Sequence, residues 1–261
     1  MILWELNMNK KLMIFIPSYK SQRTICSVIE RIPNDIKKKA KEIVVFDDDS
    51  PDDSYKVLLD YKKKKKMNKL KVHKNKKNLD FGGNMKVGFD YAIKNNMSIL
   101  AVLHSDGQYP SERIGDLIKP IEEGEAHTTF GSRFLGDPLK GGMPLWRYLG
   151  NIFLTKIENI LVGKKFSEWH SGFTAYDCNA LKKLPFKSCA DGGYELATDI
   201  LLLFLSRNFI VKEFPIKTHY GKESTSPSIK RTFSFFVHCT KLAFLFFLHR
   251  MGIIQIDKYK E

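Results

Sequence analysis

Between residues 11 and 106, short apolar runs alternate with segments of helical periodicity, and this alternation constrains the fold more than any other feature of the chain. KLMIFIPSY (11–19) reads as a buried strand, TICSVIERI (24–32) as a helix with apolar spacing of three and four, and EIVVFDDDS (42–50) as a second strand. SYKVLLDYKKK then reads as a helix, LKVHKN as a short strand and GGNMKVGFDYAIKNN as a glycine-opened helix. MSILAVLHSD (97–106) closes the series as another strand. Strand–helix alternation of this kind predicts an α/β fold, a mostly parallel sheet with helices on both faces. Such sheets bind ligands at the carboxyl ends of their strands. Three of those ends carry polar clusters here, PSY, DDDSPDD and HSDGQYP, and their convergence says more than any one of them.

The chain has 261 residues, enough for one large domain or two small ones, and a formal net charge of +14. That balance points to anionic partners such as phosphates, nucleic acid or acidic lipid. Much of the charge sits in YKKKKKMNKLKVHKNKKN (61–78), which reads first as a solvated helix face or loop. No aromatic–basic interleaving or recognisable binding motif accompanies the lysines, so nucleic acid is not the expected partner. Cys26, Cys178, Cys189 and Cys239 lie far apart, which argues against a disulfide framework or a paired-cysteine zinc site and fits a reducing cytosol. The first residues lack the order of a signal peptide.

Each polar cluster has two readings. The carboxylates of VVFDDDSPDDS suit ribose hydroxyls, a base N–H or a metal, but they also suit an Asx-turn that ends a strand. Gly82 and Gly83 at a helix start allow close backbone approach to a phosphate, without the spacing of a P-loop or a dinucleotide fingerprint. His104, Asp106 and Gln108 alternate, so in extended chain their side chains share one side and can converge on a cation. Carboxylate and carbonyl oxygens suit Mg²⁺ or Mn²⁺, and imidazole suits Mn²⁺ better. The alternative is a capped turn, with Pro110 opening the next helix. Arg133, Lys140 and Arg147 follow, and arginine forks match phosphate oxygens.

Together the segments IPSY, VVFDDDSPDDS, NLDFGGNMKVGFDYA, HSDGQYP, FGSRF, GGMPLWRYLGN and SEWHSGFTAYD resemble, in order, the family-2 glycosyltransferases of GT-A fold. The nearest likeness is to the branch of dolichol-phosphate mannosyltransferase and the bacterial polyprenyl-phosphate sugar transferases. The resemblance implies that Pro17, Tyr19, Asp47 and Asp48 hold the nucleoside, with Gly82, Gly83, Asn84 and Lys86 against the nucleotide pocket. Asp106 and Gln108, with His104 as a further candidate, would bind a divalent cation on the diphosphate. Arg133 and Arg147 would grip the acceptor phosphate or the diphosphate, with Ser171 and Gly172 lining the acceptor side. Glu195 and Asp199, one helical turn apart, are the candidate bases, and Asp199 matches an acidic family position better. Two departures stand out: many members have an aspartate where this chain has His104, and an acid soon after the tyrosine where it has YKSQ.

The resemblance implies inverting transfer from a nucleotide-diphosphate sugar to a polyprenyl phosphate, or alternatively to a saccharide hydroxyl in glycan assembly. A nucleotide-binding protein without turnover is a further alternative, prompted by His104. Residues 1–220 are expected to form the catalytic domain, with a nucleotide-sugar half over 10–110 and an acceptor half over 111–220. Residues 221–261 form a basic, apolar tail. Within it FSFFVHCTKLAFLFFLHRMGIIQI (233–256) has uninterrupted apolar stretches shorter than the ~20 residues of a membrane span. Ser234, His238 and Lys241 form a polar stripe on it, flanked by Lys230, Arg231 and Arg250. An amphipathic helix lying on the inner face of a membrane is expected, the alternative being a packed helix or a homodimer contact.

Overall fold

The computed structural model describes residues 10–190, 193–220 and 229–260, the side chains of 229 and 230 apart. Residues 221–228 of the expected tail, and the Lys230 side chain, lie outside the described residues. Seven strands form one sheet in the order β3-β2-β1-β4-β6-β5-β7. The strands are β1 (Leu12–Ser18), β2 (Glu42–Asp47), β3 (Leu70–Lys74), β4 (Ile99–Val102), β5 (Thr128–Ser132), β6 (Thr174–Asp177) and β7 (Val211–Pro215). Pairings β1–β2, β1–β4, β2–β3 and β5–β7 are parallel. Among the described strands only β6, inserted between β4 and β5, runs antiparallel to its neighbours. The helices are α1 (Ile25–Glu30), α2 (Asn34–Lys39), α3 (Ser54–Lys65), α4 (Asp80–Lys94), α5 (Ile114–Glu122), α6 (Leu145–Val162), α7 (Cys178–Leu181), α8 (Leu196–Ser206) and α9 (Ile229–Arg250).

The alternation of side chains along the central strands splits the core into two layers. Met13 and Phe15 of β1, with Val44, Leu100 and Val102, face α4 and α8 through Phe89, Leu196 and Ile200. Leu12, Ile14 and Ile16, with Ile43, Val45, Ile99 and Ala101, face α1, α2, α3 and α5 through Ile25, Ile29, Ile36, Leu58 and Leu117. Because β1 is covered on both sides, its sequence is a continuous apolar run and all seven of its residues are buried. Gly88 lets α4 lie close to the sheet: a Cβ there would fall 2.4 Å from the Phe15 ring. The lysine run occupies the last turns of α3 and the edge strand β3, where charge also discourages edge-to-edge pairing.

Two local expectations change. The strand expected to reach Asp106 ends at Val102, and the chain turns through Ser105–Gly107, with Gly107 at φ +75°. His104, Asp106 and Gln108 are therefore arranged by a turn and not by strand alternation. The expected tail helix is present as the 22-residue α9, but where uninterrupted apolar stretches fell short of a membrane span, its Arg231–Arg250 part is long and apolar enough to cross a membrane by length and composition. It packs on α6 and α8 through Cys239, Ala243 and Phe246, while Phe233, Val237 and Phe244 are exposed.

Candidate active site

The carboxyl ends of β1, β2 and β4 open into a cavity of about 810 Å³, which α6, the start of α8 and the start of α9 wall on the other side. Pro17, Tyr19, Asp48, Asn84, His104, Asp106, Gln108, Arg133, Arg147, Ser171, Gly172 and Glu195 all line it. Residues separated by up to 178 positions in sequence thus meet because parallel strands deliver their carboxyl ends to one edge.

At the end of β2 the acids divide their tasks. Asp47 is fully buried, and its Oδ1 accepts the Ser50 amide at 3.0 Å in the Asx-turn that ends the strand. It does not line the cavity, in contrast to its expected place there, whereas Asp48 does. Asp48 accepts from Asn75 Nδ2 at 2.7 Å and from the Leu79 amide at 3.0 Å. Burial pushes its carboxyl above the usual range, and these two hydrogen bonds oppose the shift. Asn75 also donates to Asn84 Oδ1, and Asn84 donates to the Phe46 carbonyl at 3.1 Å, which ties α4 to the end of β2. Asn84 is thus a strut that reaches the cavity wall. Gly82 and Gly83 lie inside the first turn of α4 and do not line the cavity; a Cβ on Gly83 would meet Leu79 Cβ at 2.8 Å. Lys86 is turned elsewhere, donating to the carbonyls of Lys187 and Cys189. Its expected place against the nucleotide is corrected accordingly.

In the turn after β4, Asp106 Oδ1 accepts the Gln108 amide at 3.0 Å, and both side chains reach the cavity. The buried Gln108 Nε2 has no hydrogen-bond partner, so its amide is held in the wall with capacity to spare. A carboxylate and an amide carbonyl two residues apart are a donor set suited to a hard divalent cation. His104 stands differently. Its ring lies between Phe81, at 5.2 Å, and Tyr109, at 5.1 Å, and its unpartnered Nε2 abuts Gly172, where a Cβ would fall 2.2 Å away. The expected ligand role is open to it only through Nδ1. Burial pushes its pKa down, the Arg133 charge adds to this and Asp106 opposes it, so the ring is held neutral.

Arg133 is buried with the equally buried Glu168, whose Oε2 accepts from its Nε at 2.8 Å and also from Nη2. Nη2 further donates to the His170 carbonyl at 3.1 Å, and Nη1 to Tyr220 Oη at 3.3 Å. Burial works against the guanidinium charge, yet the Glu168 carboxylate outweighs it and holds the Arg133 pKa well up. Arg147 stacks over the same Tyr220 ring, 5.5 Å from its centroid. Ser171 Oγ donates to the Gly131 carbonyl at 2.6 Å, and the Gly172 amide donates to Tyr109 Oη at 2.9 Å. Burial pushes the Tyr109 hydroxyl up to about 12, so it stays protonated.

Of the two candidate bases, only Glu195 lines the cavity. Asp199 is buried on the far side of α8, ion-paired to Lys258 at 2.6 Å and accepting the Ala190 amide at 3.1 Å. It pins the C-terminal turn to the core, and its expected catalytic role is corrected. Sequence reasoning missed Glu168, His170, Tyr109 and Tyr194, all in or beside the wall. A signal for Glu168 existed: a buried arginine demands a carboxylate, and SEWHSG supplies one three residues before Ser171.

The strand ends of this α/β sheet gather Asp48, Asp106, Gln108 and Arg133 at one cavity that Arg147 lines from α6, a set suited to an anionic, diphosphate-bearing ligand and its cation. The family model for glycosyl transferase family 2 matches residues 13–185, and the chain belongs to that family: it is a glycosyltransferase. It is 26% identical over 226 residues to the UDP-N-acetylglucosamine–dolichyl-phosphate N-acetylglucosaminyltransferase of Methanococcus voltae, covering 83% of this chain and 88% of that one. It is 24% identical over 211 residues to the polyprenol monophosphomannose synthase of Mycolicibacterium smegmatis, covering 79% and 77%. Among solved structures it is similar to glucosyl-3-phosphoglycerate synthase from Mycobacterium tuberculosis in complex with Mn²⁺, uridine diphosphate and phosphoglyceric acid. The TM-score is 0.67 with 15% identity, over 97% of this chain and 82% of that one. The α/β sheet flanked by helices is thus the GT-A fold.

Proposed function

We propose that the protein transfers a sugar from a nucleotide-diphosphate sugar to a polyprenyl phosphate with inversion at the anomeric carbon. The observation that carries this reading is the lining of one cavity: Asp48 and Asp106 after β2 and β4, Arg133 after β5, Arg147 on α6, and the apolar Trp146, Phe235 and Phe236 of α6 and α9. The relatives named above for dolichyl-phosphate and polyprenol monophosphomannose chemistry support it. Tyr19 and Asp48 would hold the nucleoside. Asp106 and Gln108 would hold Mg²⁺ or Mn²⁺, which when bound offsets negative charge developing on the leaving diphosphate. Arg133, fixed by Glu168, and Arg147, braced on Tyr220, present positive charge to the acceptor phosphate without reorganising. A phosphate monoester is already anionic at neutral pH, so attack needs no strong general base.

Exposed apolar residues support contact with a membrane surface: Trp146, Leu149, Phe153 and Ile160 on α6, and Phe233, Val237 and Phe244 on α9. Arg231 and Arg250 flank that face and the chain carries +14 overall, which suits anionic lipid.

The second reading, transfer to a saccharide hydroxyl, is favoured by Glu195, a carboxylate in the cavity with the chemistry of a base. The deciding experiment incubates the protein with a panel of nucleotide sugars, polyprenyl phosphate and Mg²⁺ or Mn²⁺. Sugar is expected in the organic phase. Product confined to the aqueous phase would replace the first reading by the second.

A further inference from the structure

Where α6, α9 and the segment leading into β6 meet, three side chains bring different donor chemistries together. Glu158 of α6 is fully buried. Its Oε1 accepts from His170 Nε2 at 3.1 Å and from Thr198 Oγ1 at 3.0 Å, and its Oε2 has no partner. Neither donor is a fixed positive charge, although a carboxylate removed from water calls for one. His170 Nδ1 is likewise buried without a partner. Cys239 of α9 is fully buried, with Thr198 Oγ1 3.5 Å from its sulfur. One carboxylate oxygen, one imidazole nitrogen and this sulfur all lie within 4.8 Å of one another.

We propose that Glu158, His170 and Cys239 form a site for Zn²⁺, separate from the oxygen donors of Asp106 and Gln108, that fastens α9 to the acceptor side of the cavity. Sulfur, nitrogen and a single carboxylate are donors that zinc takes, whereas Mg²⁺ prefers an all-oxygen shell. Ligand atoms around a tetrahedral zinc stand about 3.3–3.8 Å apart given its bond lengths. The His170–Glu158 pair is already at 3.1 Å, so closing the 4.8 Å envelope needs a shift of about 1 Å by the sulfur or the carboxylate, on the scale of a rotamer adjustment. Binding expels the thiol proton to solvent and moves the His170 ring proton from Nε2 to Nδ1, so affinity falls as pH is lowered. Burial and the neighbouring Glu158 carboxylate hold that thiol well above its usual pKa, which an ion would reverse. The site joins three segments that each reach the cavity: Leu154 stands one turn before Glu158, Ser171 and Gly172 follow His170, and Ser234, Phe235 and Phe236 precede Cys239. An ion there would set the position of α9 against the acceptor pocket.

The test titrates the full chain, stripped with chelator and dialysed, with Co²⁺ and then Zn²⁺. One equivalent of Co²⁺ should give a near-ultraviolet thiolate-to-cobalt band that Zn²⁺ abolishes. Cys239→Ser should remove the band, Glu158→Gln should weaken Co²⁺ binding at least tenfold, and Asp106→Asn should leave the band intact. Zn²⁺ should raise the Tm of the unsubstituted chain and of Asp106→Asn but not of Cys239→Ser. The near-isosteric serine and far-ultraviolet circular dichroism guard against misfolding. Absence of the band, or a band that survives Cys239→Ser, overturns the proposal. Because the readout is spectroscopic, it stands whichever acceptor the enzyme takes.

Discussion

Arg133 and Glu168 illustrate how a charged residue can serve a site while buried. Removing the carboxylate leaves the guanidinium without its main counter-charge in the interior, the costly half of a broken ion pair. Glu168→Ala is expected to cost about 3–5 kcal/mol, read from urea unfolding. A cost below about 1 kcal/mol would mean the pair is solvated, as surface pairs are. The two candidate bases make a sharper contrast. Asp199→Asn should lower Tm, since it weakens the bond to Lys258, yet leave kcat nearly unchanged. Glu195→Gln should also keep kcat within about tenfold if the acceptor is a phosphate, because a general base contributes about 10²–10⁴ where a hydroxyl must be deprotonated. A loss in that larger range would select the saccharide acceptor. From spacing, Glu195 and Asp199 could not be separated, and the family resemblance favoured Asp199. The helix LATDILLLFLS is apolar on nearly all sides, so spacing alone does not say which face meets the cavity. That Asp106 and Gln108 reach the cavity was legible from their place just after a core strand, although a turn and not strand alternation arranges them.

At the scale of elements, the close contact of α4 with β1 pits two effects against each other. Gly88→Ala gains about 1 kcal/mol of helix propensity but places a methyl 2.4 Å from the Phe15 ring, where overpacking costs about 1–3 kcal/mol. Phe15 is a fully buried central-strand residue and has little room to move, so the clash should win, and the substitution should lower the urea midpoint. A raised midpoint would show that α4 slides outward without penalty. The same contact explains what was readable: strands buried on both faces announce themselves as apolar runs, and β1, β2, β3 and α1, α3 and α4 lie close to their expected spans. The antiparallel β6 did not announce itself. Its TAYD is short, and its place between β4 and β5 is fixed by long-range pairing with no local signature. The shortened β4 has a local cause, since Gly107 at φ +75° and the Asp106 side chain commit the chain to a turn.

For the whole molecule, stability should depend on pH with a definite sign. His104 and His73 both have pKa values pushed below the usual imidazole value, chiefly by burial. The unfolded chain therefore binds protons that the folded one does not, so this stability is fully present above about pH 6.5 and is lost as pH falls through the folded values. His104 contributes a slope of at most about 1.4 kcal/mol per pH unit in that window. Urea midpoints should fall between about pH 7 and pH 5, and His104→Asn should flatten the trend. A midpoint that rises on acidification would reverse the sign and place a charged imidazole in the folded state.

The charge of the whole molecule and the apolar border of its cavity lead to the last prediction. Phe153, Ile160 and Phe233 are 60%, 79% and 70% exposed, on two helices that pack against each other beside the cavity mouth. Moving one such side chain from water into a bilayer interface gains up to about 1.5–3 kcal/mol, and each basic residue near an anionic surface adds about 1 kcal/mol. Two or three apolar contacts with Arg231 and Arg250 are enough for reversible attachment, and the mouth would then face the headgroups where a lipid phosphate lies. The protein should cosediment with vesicles containing anionic lipid and be released by salt. Phe233→Glu with Val237→Glu, neither of which lines the cavity, should abolish cosedimentation while sparing transfer to a detergent-dispersed acceptor. Cosedimentation that survives the double substitution would move the contact away from α9. Loss of transfer in detergent as well would show that α9 shapes the cavity itself, through the neighbouring Phe235 and Phe236 that line it.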